Sequence, residues 1–325
     1  MSRILTFNCH EAYVHLLGKL GLALDVIDGL PGRYTSSWDR RMRPVPDGAR
    51  LIRLEDALAA PRYDAAIAHN ITDLLALRGL SLPKVLVLHV DLRARVREER
   101  GAPDLAAMQR QLADYLTQIG AVAVAVSETK AQSWGQRCPV IRPSADPDEY
   151  GAFEGMAPVA LRVANQVLQR RERFAWDAHL AITSGHAARL VGENPTLDGA
   201  RPAASWEELK QLYREHRAYV HTAGVGLDDG YNLGVVEAMM TGMPVVSLAG
   251  SESPVIDGEN GYVSEDLDYL NRRLGELLAD RELARSLGRK ARERALAFFP
   301  MSGFVAGWRT ALELAVSTYQ RAGGH

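Results

Sequence analysis

In the stretch HTAGVGLDDGYNLGVVEAMMTGMPVVSLAG, residues 221–250, two carboxylates, Asp229 and Glu237, stand either side of a turn that opens a helix. Gly230 and Asn232 favour the turn, and LGVVEAMMTG is apolar on most sides, so helix onset is expected near Asn232 or Leu233. The first backbone N–H groups there, those of Tyr231, Asn232 and Leu233, point out of the positive end of the helix dipole, a setting for an anion such as phosphate. Glu237, about a turn further in, offers two acceptor oxygens that suit the adjacent hydroxyls of a ribose. Asp229, on the preceding loop, is placed for sugar hydroxyls beyond the phosphates. A second reading has Asp229 cap the helix and Glu237 decorate its surface; spacing alone does not separate the two.

Other residue groups carry chemistry of the same kind. QRRERFAW supplies Arg170, Arg171 and Arg173, and guanidinium groups bind phosphate in a fork while keeping their charge at neutral pH. With Glu172 the same run also reads as a solvated charged face. His89 ends the apolar run KVLVLH, and His69 with Asn70 ends AAIAHN; such strand-end residues either face a ligand or satisfy local structure. In NCHEAYVHLL, His10 and Glu11 could touch an acceptor, or Glu11 simply starts a helix. The patch PGRYTSSWDRRMRPVP, with Arg33, Trp38, Arg40, Arg41 and Arg43, reads equally as a loop for an anionic acceptor and as a solvated loop. No nucleophilic triad, metal cluster or Walker loop is apparent, and the Asp-x-Asp pairs at 146–148 and 266–268 are patterns common by chance.

These residues need a frame to hold them. At 325 residues the chain exceeds what one core usually supports, so two domains are expected. A formal charge of -2 argues against nucleic-acid binding through bulk charge. Two cysteines make no disulfide framework, the start lacks the apolar run of a signal peptide, and no apolar stretch reaches the roughly 20 residues of a membrane span. The expectation is a cytoplasmic protein; peripheral membrane contact and oligomeric state stay open.

Apolar runs alternate with amphipathic segments in two series. Strands are expected at RILTFN, LALDVID, YDAAIAHN, LPKVLVLH, AVAVAVS and CPVIRP, then at APVALRVAN, ARLVGEN, AYVHTA, PVVSLA and GYVS. A helix is expected over RRERFAWDAHLAITSG, and Ser205 with Glu208 reads as a capping box on SWEELKQLYREH. Such alternation predicts parallel sheets covered by helices on both faces. The proline- and acid-rich RPSADPDEYGAFEG, residues 142–155, is the linker candidate. Ligands of doubly wound sheets bind beyond the carboxyl ends of the strands, and the 221–250 stretch leaves a strand at that end.

DDGYNLGVVEAMMTGMPVVS resembles the donor-site motif of retaining GT-B glycosyltransferases of family four, the glycosyl transferases group 1. Asp229 and Glu237 fall on its two acidic positions, with Asp229 where the family usually has Glu and Asn232 where it usually has Gly. SESPVIDGENGYVSEDLDYL, LVGENP and AVSETKAQSWGQRCPVIRPSADPDEY are similar to other family segments, strongly after about residue 120 and weakly before. The resemblance implies a GT-B fold, two Rossmann-like doubly wound α/β domains facing a cleft. The divisions expected are 1–145 for the acceptor side, 146–300 for the nucleotide-sugar donor domain, and 301–325 for a C-terminal helix returning to the first domain.

It also implies roles. Arg170, Arg171 and Arg173 would hold a diphosphate, Arg171 foremost, with the backbone of Tyr231, Asn232 and Leu233; Glu237 would hold the ribose; Asp229 would orient the sugar; His89 would reach the sugar and phosphate. The expected activity is transfer of a sugar from a nucleoside-diphosphate sugar to an acceptor with retention of configuration, with no metal and no cofactor beyond the donor itself. The alternatives are a catalytically weak GT-B subunit that binds a nucleotide sugar or supports a partner, and a nucleotide-sugar epimerase.

Overall fold

The computed structural model describes residues 3–32, 37–59, 63–98, 104–227, 231–250 and 252–324. The chain divides into two compact units, Met1–Arg142 with Ser302–His325, and Pro143–Met301. Each is built on one parallel sheet.

The first unit holds β1 (Arg3–Phe7), β2 (Ala23–Ile27), β3 (Ala49–Ile52), β4 (Ala65–Ala68), β5 (Lys84–Leu88) and β6 (Val122–Ala125), in the order β3-β2-β1-β4-β5-β6. Ile4, Leu5, Ala65, Ala66, Ile67, Val85 and Leu86 are buried on both faces of this sheet. That is why its strands read as continuous apolar runs rather than as alternating patterns. The helix Met301–Arg321 buries Phe304, Trp308, Ala311, Leu312 and Ala315, and from Ser302 onward it belongs to this first unit. There Phe304 meets Tyr13 edge to face, with ring centroids 6.2 Å apart.

The second unit holds β7 (Ala157–Val163), β8 (Ala188–Val191), β9 (His216–His221), β10 (Val245–Leu248) and β11 (Gly261–Ser264), in the order β11-β10-β9-β7-β8. In both sheets the chain winds outward from a central pair, β1 with β4 and β7 with β9. These two pairs are the topological switch points, where strand exits diverge and leave a crevice.

Three expectations about elements are corrected. CPVIRP is not a strand; it makes only an isolated bridge between Ala125 and Val140, because Pro139 and Pro143 lack the N–H groups a ladder needs. Conversely, β3 lies inside the stretch read as irregular. It is a four-residue, half-exposed strand at the edge of its sheet, too short to show a period. The helix expected from about Arg170 begins only at Trp176. Residues 170–175 are turns, closed by Ala175 in the left-handed region at φ 40°, a conformation no helix of L-residues continues through. Ser205 does cap the helix Trp206–Glu215, accepting from the Glu208 N–H at 3.1 Å, while the Glu208 carboxylate reaches back to the N–H of Ala204 at 2.6 Å.

Candidate functional site: a cationic crevice and a histidine edge

At the switch point of the second sheet, the loops leaving β7 and β9 touch. The Gly224 N–H donates to the Arg173 carbonyl at 2.9 Å, and the Glu172 carbonyl lies so close to Gly224 that a Cβ there would collide with it. Arg162, near the end of β7 and 3% exposed, ties the two loops together. Its guanidinium donates to the Thr222 carbonyl at 2.8 Å, the Phe174 carbonyl at 3.2 Å and the Thr222 hydroxyl. It also lies over the rings of Phe174 and Trp176, at 5.6 and 6.0 Å. Burial, helped by Arg162, pushes the adjacent His179 down to about 2, so this imidazole stays neutral and the guanidinium is the charge in the pair. Arg162 was not anticipated as a functional residue, although a lone arginine inside the apolar APVALRVAN was a signal for it.

The three expected arginines lie on the 164–175 loop rather than on a helix. Arg170 lies over the Phe174 ring at 5.5 Å. The exposed Arg171 holds Asp177 in a forked ion pair, its Nε 3.0 Å from one carboxylate oxygen. Arg173 is buried. Among the described residues, the only non-glycine positive φ angles are those of Gln166 (55°) and Ala175 (40°), both in this loop. Strain of that kind costs on the order of 1–3 kcal/mol per residue and collects at functional sites.

Across the crevice, the helix Leu233–Thr241 starts where expected. Its first turn differs in one respect. The Asn232 side chain caps it, accepting from the N–H groups of Gly234 at 2.9 Å and Val235 at 3.4 Å. Two amides that face an anion in an uncapped helix are thereby engaged by the protein itself, and the Leu233 N–H is not one of them. Tyr231 turns its ring into the core, edge to face with Phe298 and Phe299 at 5.5 and 5.3 Å. Gly234 sits against the Tyr219 hydroxyl, which a Cβ at that position would strike. Asp229 lies outside the described residues.

Glu237 is only 5% exposed, so it does not decorate the surface. Its carboxylate accepts from the hydroxyl of Tyr213 at 3.0 Å, and Tyr213 itself is fully buried. A carboxylate placed in a core of Tyr213, Tyr219 and Met239 is costly unless hydrogen-bonded, and this bond fixes one of its oxygens. On the β10 side, a pocket at the strand ends is lined by His221, Asn232, Ser247, Glu252, Ser253 and Pro254 among others.

The first sheet's switch point has different chemistry. Cys9, His69 and His89 follow β1, β4 and β5, and one possible ligand atom from each falls within 4.8 Å of the others. The Thr6 hydroxyl is 2.9 Å from His69 Nε2, and His69 Nδ1 is 3.0 Å from His89 Nε2. The Tyr13 ring stands edge-on to both imidazoles, at 5.8 and 4.6 Å. Asn70 caps the helix that follows, accepting from the Asp73 N–H at 2.8 Å. Glu11 starts its helix and is buried, accepting from the Asp39 N–H at 3.1 Å. The arginine-rich patch largely satisfies itself. Trp38 and Arg43 are buried and joined by an indole N–H to carbonyl bond of 2.8 Å, and Arg41 pairs with Asp39; Arg33 lies outside the described residues.

Two parallel α/β units wound in this way have the GT-B fold of glycosyltransferases. HepE of Anabaena, solved in complex with UDP and glucose, is similar to this chain with a TM-score of 0.72 at 14% identity, covering 96% of this chain and 100% of that one. Within this fold, residues 202–294 match the family of glycosyl transferases group 1. The chain is 33% identical over 87 residues to trehalose synthase of Pyrococcus horikoshii, covering 25% of this chain and 21% of that protein. It is 31% identical over 101 residues to MMP alpha-(1->4)-mannosyltransferase of Mycolicibacterium hassiacum, covering 30% and 23%. These alignments therefore span about a fifth of the length of the curated relatives. Among the described residues no helix is long and apolar enough to cross a membrane.

Proposed function

We propose that the chain is a glycosyltransferase that moves a sugar from a nucleoside-diphosphate sugar to an acceptor, with retention of configuration and without a metal. The observation that carries this reading is the crevice between β7 and β9. One wall is an arginine-bearing loop, the other is the start of a helix, and the second wall lies inside the segment that matches the glycosyl transferases group 1. Departure of a nucleoside diphosphate leaves negative charge on its terminal phosphate, and fixed guanidinium groups and a helix terminus stabilise that charge with little reorganisation. In this reading Arg171, Arg170 and Arg173 serve the diphosphate with the backbone of Tyr231, Asn232 and Leu233. Glu237, held by Tyr213, takes the ribose hydroxyls, Asp229 orients the sugar, and His89 meets a substrate hydroxyl. HepE, solved with UDP and with glucose, supports the donor class. A chain with only two cysteines, Cys9 and Cys138, and so no disulfide framework, suits a cytoplasmic setting.

The reading is tested by following nucleoside-diphosphate release across a panel of donors and acceptors. Turnover is expected for one donor class, with a fall of roughly 100-fold or more in Glu237→Ala, which loses contacts of a buried charged group. Tight donor binding without release for any acceptor would instead make the chain a binding subunit.

A further inference from the structure

The histidine edge of the first sheet has one arrangement of protons that satisfies it best. Thr6 is fully buried, and its hydroxyl has one proton with two neighbours, the Ile67 carbonyl at 3.2 Å and His69 Nε2 at 2.9 Å. If that proton goes to His69, the ring must donate from Nδ1 to His89, the Ile67 contact is lost, and two hydrogen bonds remain. If it goes to Ile67, the hydroxyl accepts from His69 Nε2–H, and His69 Nδ1 then accepts from His89 Nε2–H at 3.0 Å, giving three bonds. Buried polar groups settle where the most hydrogen bonds are made. The second arrangement therefore holds, and His89 is left with a lone pair on Nδ1.

Neither ring is a cation in the neutral range. Burial, then the neighbouring His89, holds His69 well below the ordinary histidine value. Burial, then His10, pushes His89 down to about 3. The other titratable groups at this edge are Cys9, Glu11, Tyr13 and Asp73, the last accepting from the His69 backbone N–H at 3.1 Å. His89 nevertheless keeps part of its surface open.

We propose that His69, backed by Thr6, is a positioning residue that fixes His89 with Nδ1 as a hydrogen-bond acceptor, so that His89 takes a substrate hydroxyl and not a phosphate oxygen. An ionised phosphate oxygen has no proton to give, whereas every sugar hydroxyl has one. That the hydroxyl belongs to a sugar rests on the function proposed above; the proton arrangement rests on geometry alone. A metal ion is the competing occupant, since Cys9, His69 and His89 converge. In this arrangement His69 has no lone pair to offer an ion, because its Nε2 carries a proton toward Thr6 and its Nδ1 accepts from His89. It would also need a thiolate, while burial and then the charge of Asp73 raise the Cys9 thiol well above its ordinary value.

Long-range 1H–15N correlation spectra of 15N-histidine-labelled full-length protein read the arrangement without any ligand. Both His69 and His89 are expected as Nε2–H tautomers, unchanged between about pH 8 and pH 5. His69→Phe should release His89 to a tautomer mixture, and His69→Gln, whose amide oxygen can still accept, should restore the Nε2–H form. With a turning-over donor, replacing the recognised hydroxyl by hydrogen should raise KM roughly tenfold in wild type and hardly at all in His69→Phe. A His89 Nδ1–H form in the wild type, titration of His89 near neutral pH, or stoichiometric zinc lost on Cys9→Ser would overturn the proposal. Deoxy donors that bind as well as their parents would overturn the hydroxyl assignment. Correct tautomers in a protein that binds no nucleotide sugar would instead sink the transferase reading and leave the relay standing.

Discussion

At the carboxyl edge of one sheet stand a hydroxyl, two imidazoles and a thiol, all uncharged, with the Asp73 carboxylate held on the His69 backbone N–H; at the same edge of the other stand four arginines within twelve residues of loop and strand, Arg162, Arg170, Arg171 and Arg173. Both edges follow parallel strands that diverge from a central pair. Strand exits and a switch point supply only the crevice; the residues grafted there decide whether it receives a neutral hydroxyl or an anion. The cationic edge also carries its own restraint. Asp177 occupies Arg171, and Asn232 occupies two amides of the helix start. A ligand entering this edge must compete with contacts the protein already makes, whereas His89 presents a lone pair set in place by its neighbours.

The sharpest way to break this contrast is to remove the buried charge that joins the two loops of the cationic edge. Arg162→Met takes the guanidinium away from the carbonyls of Phe174 and Thr222, a loss of about 1.5–3 kcal/mol for each of these charge-assisted hydrogen bonds. The melting midpoint should fall on the order of 10 °C, and nucleotide affinity by roughly 100-fold. The histidine tautomers of the first unit should be unchanged. A variant that melts and binds like the wild type would show that the loops hold themselves.

A smaller effect is expected from Asn232→Gly, which puts at the helix start the residue usual in the resembling family. The cap is worth only a few tenths of a kcal/mol relative to glycine, so stability should barely move. The N–H groups of Gly234 and Val235 are released, and nucleoside-diphosphate affinity should rise by about two- to fivefold as the helix terminus becomes available to an anion. Weaker binding, measured by calorimetry, would mean that the Asn232 amide is itself a ligand.

Much of this was legible in the chain. Among the described residues the apolar runs gave ten of the eleven strands, since a strand buried on both faces leaves an unbroken apolar run. The exception, β3, is short and half-exposed, and its residues carry no such pattern. The spacing of Asp229 and Glu237 pointed to one turn and one helix. What it could not show is which way Glu237 faces, because that depends on Tyr213 from the preceding helix, 24 residues earlier in the chain. Arg162 was legible as an oddity in a strand, but its partners Phe174 and Thr222 come from two loops that meet only in the folded unit. His69 and His89 were each visible at strand ends; their hydrogen bond follows from β4 and β5 being neighbours, which a list of strands does not state.

The central claim, an anion site at one edge and a neutral hydroxyl site at the other, is tested most directly by calorimetric titration of a nucleoside diphosphate and its sugar conjugate. The proteins compared are wild type, Arg170→Ala/Arg171→Ala and His89→Ala. The arginine pair should lose roughly 100-fold in affinity for both ligands, with a weakened dependence on salt. His89→Ala should bind the bare diphosphate within about twofold of wild type and the sugar conjugate about tenfold less tightly. Wild type that binds neither ligand, or an arginine variant that binds the diphosphate unchanged, would contradict the account.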